Sequence, residues 1–324
     1  MKLMKYTDLL IQAESDLGLN TPFQKGQKIT VKKCWHFTTD GNAIDRIFDD
    51  DEDFIAGMNR IYVVIHNYDI LILAFCLMDT HIHFILYGEL DACNRFMHEY
   101  IRRTSMHISS RHGEYRKLAD IPIHYQTIDN DWYLKNAICY TIKNPPAAGL
   151  RYTHIDYPWS SGALYFRSKG YWTSPVHCID EVHTQPTDLS IHKKRELLKV
   201  HITLDISNIK IIGNTIFPGE YVEYRLVEKL FKSPKGFNYF IYTSREEDIE
   251  SKGGAISRLS IPIQEMRQYR NEICKDVFKV NTIRMLNVEQ RLRLARILKS
   301  RYHSSIKQVA RVCGLIPEEV KSLM

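Results

Sequence analysis

No stretch of this chain approaches the roughly 20 consecutive apolar residues that a membrane-spanning helix needs. The opening Met1-Lys2-Leu3-Met4-Lys5 runs on into Asp8 and Gln12 without an apolar signal core, from which a cytoplasmic location is expected. Cys-x-x-Cys is absent, and the seven cysteines, at 34, 76, 93, 139, 178, 274 and 313, are odd in number and widely scattered. That distribution argues against a disulfide framework and against a cysteine-held zinc. Internal repeats and low-complexity tracts are also lacking. What remains is an ordinary globular composition, 44% hydrophobic and 25% charged, with neither the charge excess of a disordered chain nor the apolar excess of a membrane protein. At 324 residues there is room for one large domain or two modest ones, each with its own core.

The formal net charge of +6 is unevenly placed. Residues 281–324 carry nine Lys or Arg against three Glu, so the preceding 280 residues are formally neutral. A basic tail on a neutral body is what a polyanion-binding module looks like, and it is equally what a solvated helical surface looks like.

Periodicity gives the order of elements. Val31–Thr38 alternates as a strand. The acidic run Asp49-Asp50-Asp51-Glu52-Asp53 suits the start of a helix, where carboxylates oppose the positive end of the dipole. That capping role is preferred to metal binding. Phe54, Ile55, Met58, Ile61, Tyr62 and Ile65 continue with helical spacing. Residues 69–78 and the segment after Asp79-Thr80 read as two strands, and Leu90 to His112 as a long amphipathic helix with Met97, Ile101, Thr104 and Ile108 inward. Arg102 and Arg103 fall on its other faces, as candidate phosphate contacts or as solvated charges. A strand over 121–128 and a helix over 132–143, ended by Pro145-Pro146, complete a β-α-β-β-α-β-α order. The expected class is α+β: a ferredoxin-like antiparallel sheet with helices on one side, then a mostly helical C-terminal region. There, 288–300, 305–313 and a segment from Pro317 read as three short helices with helix-turn-helix spacing, capped by Ser304 or Ser305 and turned at Gly314. Lys307 and Arg311 of this tail are candidate DNA contacts. The expected domains are 1–168, an accessory middle region 169–280, and the basic tail 281–324.

The chemistry concentrates in Met78-Asp79-Thr80-His81-Ile82-His83-Phe84-Ile85-Leu86. Alternation along a strand sends both imidazoles to one face. They are either polar residues on a wet face or two ligands of one divalent ion. On the helix over 132–143, at about 100° per residue, Tyr133, Ala137, Tyr140 and Asn144 cluster while Leu134, Ile138 and Thr141 form the apolar stripe. Tyr140 and Asn144 are therefore expected at the margin of the buried face. A phenol with an ordinary pKa near 10 is a weak nucleophile at neutral pH. A cation on a phosphate oxygen would draw charge from phosphorus and align it for in-line attack. Neutral imidazoles and an amide oxygen would leave that cation's charge largely uncancelled. Mg²⁺ prefers oxygen ligands and Mn²⁺ accepts imidazole more readily.

His81-Ile82-His83 after Cys76-Leu77-Met78, with Tyr140-Thr141-Ile142-Lys143-Asn144-Pro145-Pro146-Ala147-Ala148-Gly149-Leu150 and the later Tyr157-Pro158-Trp159-Ser160-Ser161, resembles the single-tyrosine HUH transposases. Within them the closest likeness is to the REP-associated tyrosine transposases, over residues 30–165. The resemblance implies that His81 and His83 bind Mg²⁺ or Mn²⁺, that Asn144 is the third ligand, and that Tyr140 is the nucleophile. It further implies cleavage of single-stranded DNA near hairpins through a 5′-phosphotyrosine, with rejoining by the reverse step. Two departures stand out. Asp79-Thr80 replaces the usual Pro-Asn, either shaping the turn or adding a carboxylate, and Pro146-Ala147 replaces a basic residue after Asn-Pro. Lys143 either influences Tyr140 and phosphate or is an exposed helix-end lysine. Two other readings stay open: a domesticated, catalytically silent DNA-binding regulator, and a metallohydrolase that uses water. Monomer and homodimer are both compatible with the pattern.

Overall fold

The computed structural model describes residues 3–22, 29–41, 43, 46–113, 118–167, 183–184, 190–199, 208–243, 263–302, 306–316 and 320. They divide into two units, one of Met1–Asn144 with Thr153–Ile256 and the other of Pro145–Tyr152 with Ser257–Met324.

In the first unit, α1 (Tyr6–Asp16) precedes β1 (Thr30–Thr39), α2 (Asp51–Ile65), β2 (Ile70–Leu77), β3 (Ile82–Gly88), α3 (Leu90–His112), β4 (Ile123–Asn130) and α4 (Asp131–Ala147). The four strands form one sheet in the order β2-β3-β1-β4, with each neighbouring pair antiparallel. This is the expected ferredoxin-like order: each crossover helix carries the chain over one intervening strand. Every residue of β2 and β3 is buried, because both faces of these strands are covered.

One face packs on α2 and α3. Phe84 meets Phe96 and Tyr100 of α3 with ring centroids 5.4 and 5.5 Å apart, and Phe75 of β2 at 6.1 Å. The Tyr100 hydroxyl donates to the Gly57 carbonyl of α2 at 3.2 Å. Gly57 is required there, since a Cβ would lie 2.8 Å from the Phe48 ring. Asp50 caps α2 by accepting from the Asp53 amide at 3.1 Å, the role its acidic run suggested. Helix α3 has the bounds that its periodicity predicts and stops at Gly113, whose φ of 67° is left-handed.

Helix α4 lies on the opposite face, against His83 and His36, so the expectation of helices on one side only is corrected. It also runs through Pro145 and Pro146 instead of ending at them. A proline has no N–H to give the carbonyl four residues back. Here the Asn144 side-chain amide donates to the carbonyls of Tyr140 at 3.1 Å and Thr141 at 3.4 Å, supplying the donor that Pro145 lacks.

The segment after α4 closes the β2 edge. Leu77 donates its amide to the Trp159 carbonyl at 2.9 Å, and Ser161 donates its amide to the Phe75 carbonyl at 3.0 Å. The hydroxyls of Tyr157 and Tyr165 donate to the carbonyls of Leu77 and Leu73 at 2.8 and 2.7 Å. Trp159 stacks on Phe54 at 4.9 Å.

The middle region falls largely in the first unit. Its short strands β5 (His183–Thr184), β6 (Ile211–Ile212) and β7 (Thr215–Ile216) and helices α5 (Ile191–Leu198), α6 (Tyr224–Phe231) and α7 (Pro234–Thr243) belong to the unit that holds the sheet. Asn59 of α2 ties them in, donating to the carbonyls of Leu197 and Asn214 at 3.1 and 2.8 Å and accepting from the Ile216 amide at 2.8 Å. The boundary expected at 280 moves as well, because α8 (Ile263–Asp276) belongs with the C-terminal helices α9 (Val288–Tyr302) and α10 (Ile306–Cys313). These three pack around Met266, Cys274, Leu294, Leu298, Val309 and Cys313. Gly314, with φ 63°, reverses the chain after α10. The expected start of a third helix at Pro317 and the caps at Ser304 or Ser305 lie outside the described residues. No helix among the described residues is long and apolar enough to cross a membrane.

Phe84→Ala should lower unfolding free energy by about 3–5 kcal/mol, read by urea denaturation, because the cavity would sit among Phe75, Phe96 and Tyr100.

Candidate active site

The site is built by alternation and register. Phe84 points to α3, so His83 beside it points to α4. Thr38 of β1 is opposite His83 and His36 is opposite Ile85, which makes His36 and His83 diagonal neighbours on one face. Their rings lie within 25° of parallel with centroids 5.3 Å apart, and His36 Nε2 meets His83 Nδ1 edge to edge at 3.1 Å. His81, just before β3, sets its ring edge-on to His83 at 4.8 Å. The Thr39 hydroxyl accepts the Ile82 amide at 3.0 Å and fixes this approach to the strand.

From α4, Tyr140 sets its ring edge-on to those of His36 and His83, at 5.7 and 5.8 Å between centroids. One turn on, Asn144 places Oδ1 3.5 Å from His81 Nε2. The backbone bonds of its amide nitrogen leave that oxygen to face the site. His81, His83, Tyr140 and Asn144, singled out by spacing, are thus brought together. His36 was not singled out. A lone histidine in an alternating strand has no distinguishing mark until its register partner is known.

Burial governs the protonation of this cluster. It pushes the His36 pKa down to about 4 and holds His83 well below the usual imidazole value. His81 is also lowered by burial, opposed by its contact with Asn144. At neutral pH these rings are neutral and each carries one lone pair. His83 Nε2 is buried with no partner within hydrogen-bond distance, and Asn144 opposes the lowering of His83 as it does that of His81. An orphaned imidazole nitrogen, a second imidazole and an amide oxygen form a donor set that fits a divalent cation tolerant of nitrogen.

Tyr140 is only 4% exposed, which corrects its expected place at a margin. Helix α4 is buried nearly all round: Tyr133, Leu134, Ala137, Ile138, Cys139 and Ile142 are all covered. Phe240 of α7 lies 5.7 Å beneath the Lys135 ammonium, a contact from the middle region onto α4.

Asp79 is exposed and its carbonyl accepts the amides of Ile47 and Phe48 at 2.6 and 3.3 Å, while the Thr80 hydroxyl lies 2.9 Å from His81 Nδ1. Lys143 is half-buried, and its charge acts on Cys139 and His154. Arg102 and Arg103 do not join the site; they pair with Glu99 at 2.7 and 2.5 Å on α3, across the sheet. Arg311 is exposed on α10, and the Lys307 side chain lies outside the described residues.

A second group of donors, Asp49, Asp53 and His112, could hold a metal ion, with one ligand atom of each within 4.8 Å of the others. The sequence assigns its acidic members to helix capping, and His112 enters only through the folding of α3 onto α2. Arg111 already engages it, 2.7 Å from Asp53 and 2.8 Å from Asp50, and His112 lies 2.9 Å from Asp53.

No protein-family model, curated protein or solved structure matches the chain.

The depressed His36 pKa carries a sign. Between about 4 and the ordinary 6.5, the unfolded chain binds more protons than the folded one. In metal-free buffer, unfolding free energy should therefore fall as pH drops through that window, by about 3 kcal/mol for this residue. Urea titrations from pH about 7.5 to about 4.5 test this; a flat profile would contradict the buried neutral cluster.

Proposed function

We propose that the chain is a metal-dependent nuclease of the single-tyrosine HUH class, which cuts and rejoins single-stranded DNA. More particularly, we read it as a REP-associated tyrosine transposase acting on hairpin-bearing strands. The observation that carries this reading is the convergence of Tyr140 and Asn144 from α4 with His83 from β3 and His81 from the turn before it.

The phenol oxygen of Tyr140 attacks phosphorus, the bond to the 3′ oxygen breaks, and a 5′-phosphotyrosine forms. The phenol proton leaves and the departing oxygen takes up a proton to become a 3′-hydroxyl. Reversal by a 3′-hydroxyl rejoins the strand, and the covalent link conserves the phosphodiester energy without a nucleotide cofactor. His81, His83 and Asn144 would hold Mg²⁺ or Mn²⁺, which when bound supplies charge to the phosphate oxygens. Neutral imidazoles leave that positive charge uncancelled. The bonds from Asn144 to its own helix keep its oxygen aimed at His81. The basic C-terminal helices would grip the duplex stem through phosphate contacts.

A second reading, a silent DNA-binding regulator, is favoured by the burial of the Tyr140 hydroxyl. Incubation with a pool of hairpin-bearing single strands and Mn²⁺ separates the two. The nuclease should yield a covalent protein–DNA adduct on denaturing gels, which Tyr140→Phe abolishes and His83→Ala lowers by about 100-fold or more. Full adduct yield from Tyr140→Phe would remove Tyr140 from the chemistry. Binding without cleavage across the pool would establish the regulator.

A further inference from the structure

We propose that His36 is a positioning residue: it accepts the Nδ1 proton of His83 and so fixes the tautomer in which His83 Nε2 presents its lone pair to a cation. This rests on the reading of His81, His83 and Asn144 as ligands, and it deepens that reading by adding a residue that never touches the ion.

The geometry leaves one proton between the two rings. His36 Nε2 and His83 Nδ1 are 3.1 Å apart, both rings are buried, and centroids 5.3 Å apart with 25° between planes set the two nitrogens edge to edge. In one arrangement His83 donates, and its Nε2 is a bare lone pair. In the other His36 donates, and His83 Nε2 carries a hydrogen. That nitrogen is buried with no hydrogen-bond partner. A hydrogen there would find no acceptor within hydrogen-bond distance, whereas a lone pair beside Asn144 is a ligand in waiting, as in metal sites where the second ring nitrogen of a ligating histidine is bonded to an acceptor. His36 supplies that acceptor. The same ring stands edge-on to Tyr140 at 5.7 Å, so one side chain braces both the ligand and the phenol. On the other side of the site, His81 Nδ1 has the Thr80 hydroxyl at 2.9 Å, which leaves its Nε2 facing Asn144 Oδ1.

Three proteins test this: the full chain, His36→Phe and His36→Gln. Phenylalanine keeps the ring and removes the acceptor. Glutamine places an amide oxygen the same number of bonds from Cβ as imidazole Nε2, so it restores the acceptor. Long-range ¹H–¹⁵N spectra of metal-free protein at neutral pH should show His83 as the Nδ1–H tautomer in the full chain and in His36→Gln. Mn²⁺ titration followed by electron paramagnetic resonance should show Kd raised about 10- to 100-fold in His36→Phe and within a few-fold of the parent in His36→Gln. An Nε2–H tautomer of His83 in the parent, or equal Mn²⁺ affinity in the parent and His36→Phe, would overturn the assignment. Both readouts are taken without DNA. Failure to form the covalent adduct therefore overturns the nicking reading alone, while failure of the parent to bind Mn²⁺ overturns both.

Discussion

Pairing of β1 with β3, with Thr38 opposite His83, is the constraint on which the site depends. Side chains alternate along a strand, so a slip of one residue would turn His36 toward α3 and bring Phe37 under α4. Phenylalanines on the other side oppose such a slip: Phe37 faces Phe84, which is wedged among Phe75, Phe96 and Tyr100. The hydrophobic face thus sets the polar one. Three imidazoles can be held without charge in the interior because the surrounding hydrocarbon fixes their places and lowers their affinity for protons.

Asn144 meets two demands with one amide. Its nitrogen supplies the donor that Pro145 cannot, and its oxygen is thereby directed at His81. The sequence Asn-Pro is then a local device: the proline creates the need that orients the asparagine. The price of that device is that the position serves helix and site together.

Much of this was legible beforehand, for stated reasons. The bounds of α3 follow from a strong 3.6-residue period and a glycine at its end. His81 and His83 share a side because strand alternation is strictly local, and Tyr140 and Asn144 share one because a helical turn is local too. What escaped depended on distant chain. His36 became part of the site only through a register 47 residues away. Helix α4 also meets chain beyond residue 230, through Lys135 and Phe240, which no stripe on α4 announces. The prolines were read as a stop because backbone arithmetic alone gives one, and a side-chain donor changes the sum. The grouping of α8 with the tail was hidden by a weak pattern between 170 and 280.

The clasp of residues 157–165 on β2 has a consequence for the sheet as a polymerisation template. Backbone groups along that margin are taken by Trp159, Ser160 and Ser161, and further along by Glu223, whose amide bonds the Ile72 carbonyl at 2.8 Å. A foreign strand arriving there meets a margin that its own chain already occupies at Ile72, Phe75, Cys76 and Leu77. The most oily strand of the fold is therefore shielded from aggregation by its own chain, and among the described residues β4, with its half-polar run of His124, Gln126 and Thr127, is the rim left to the solvent.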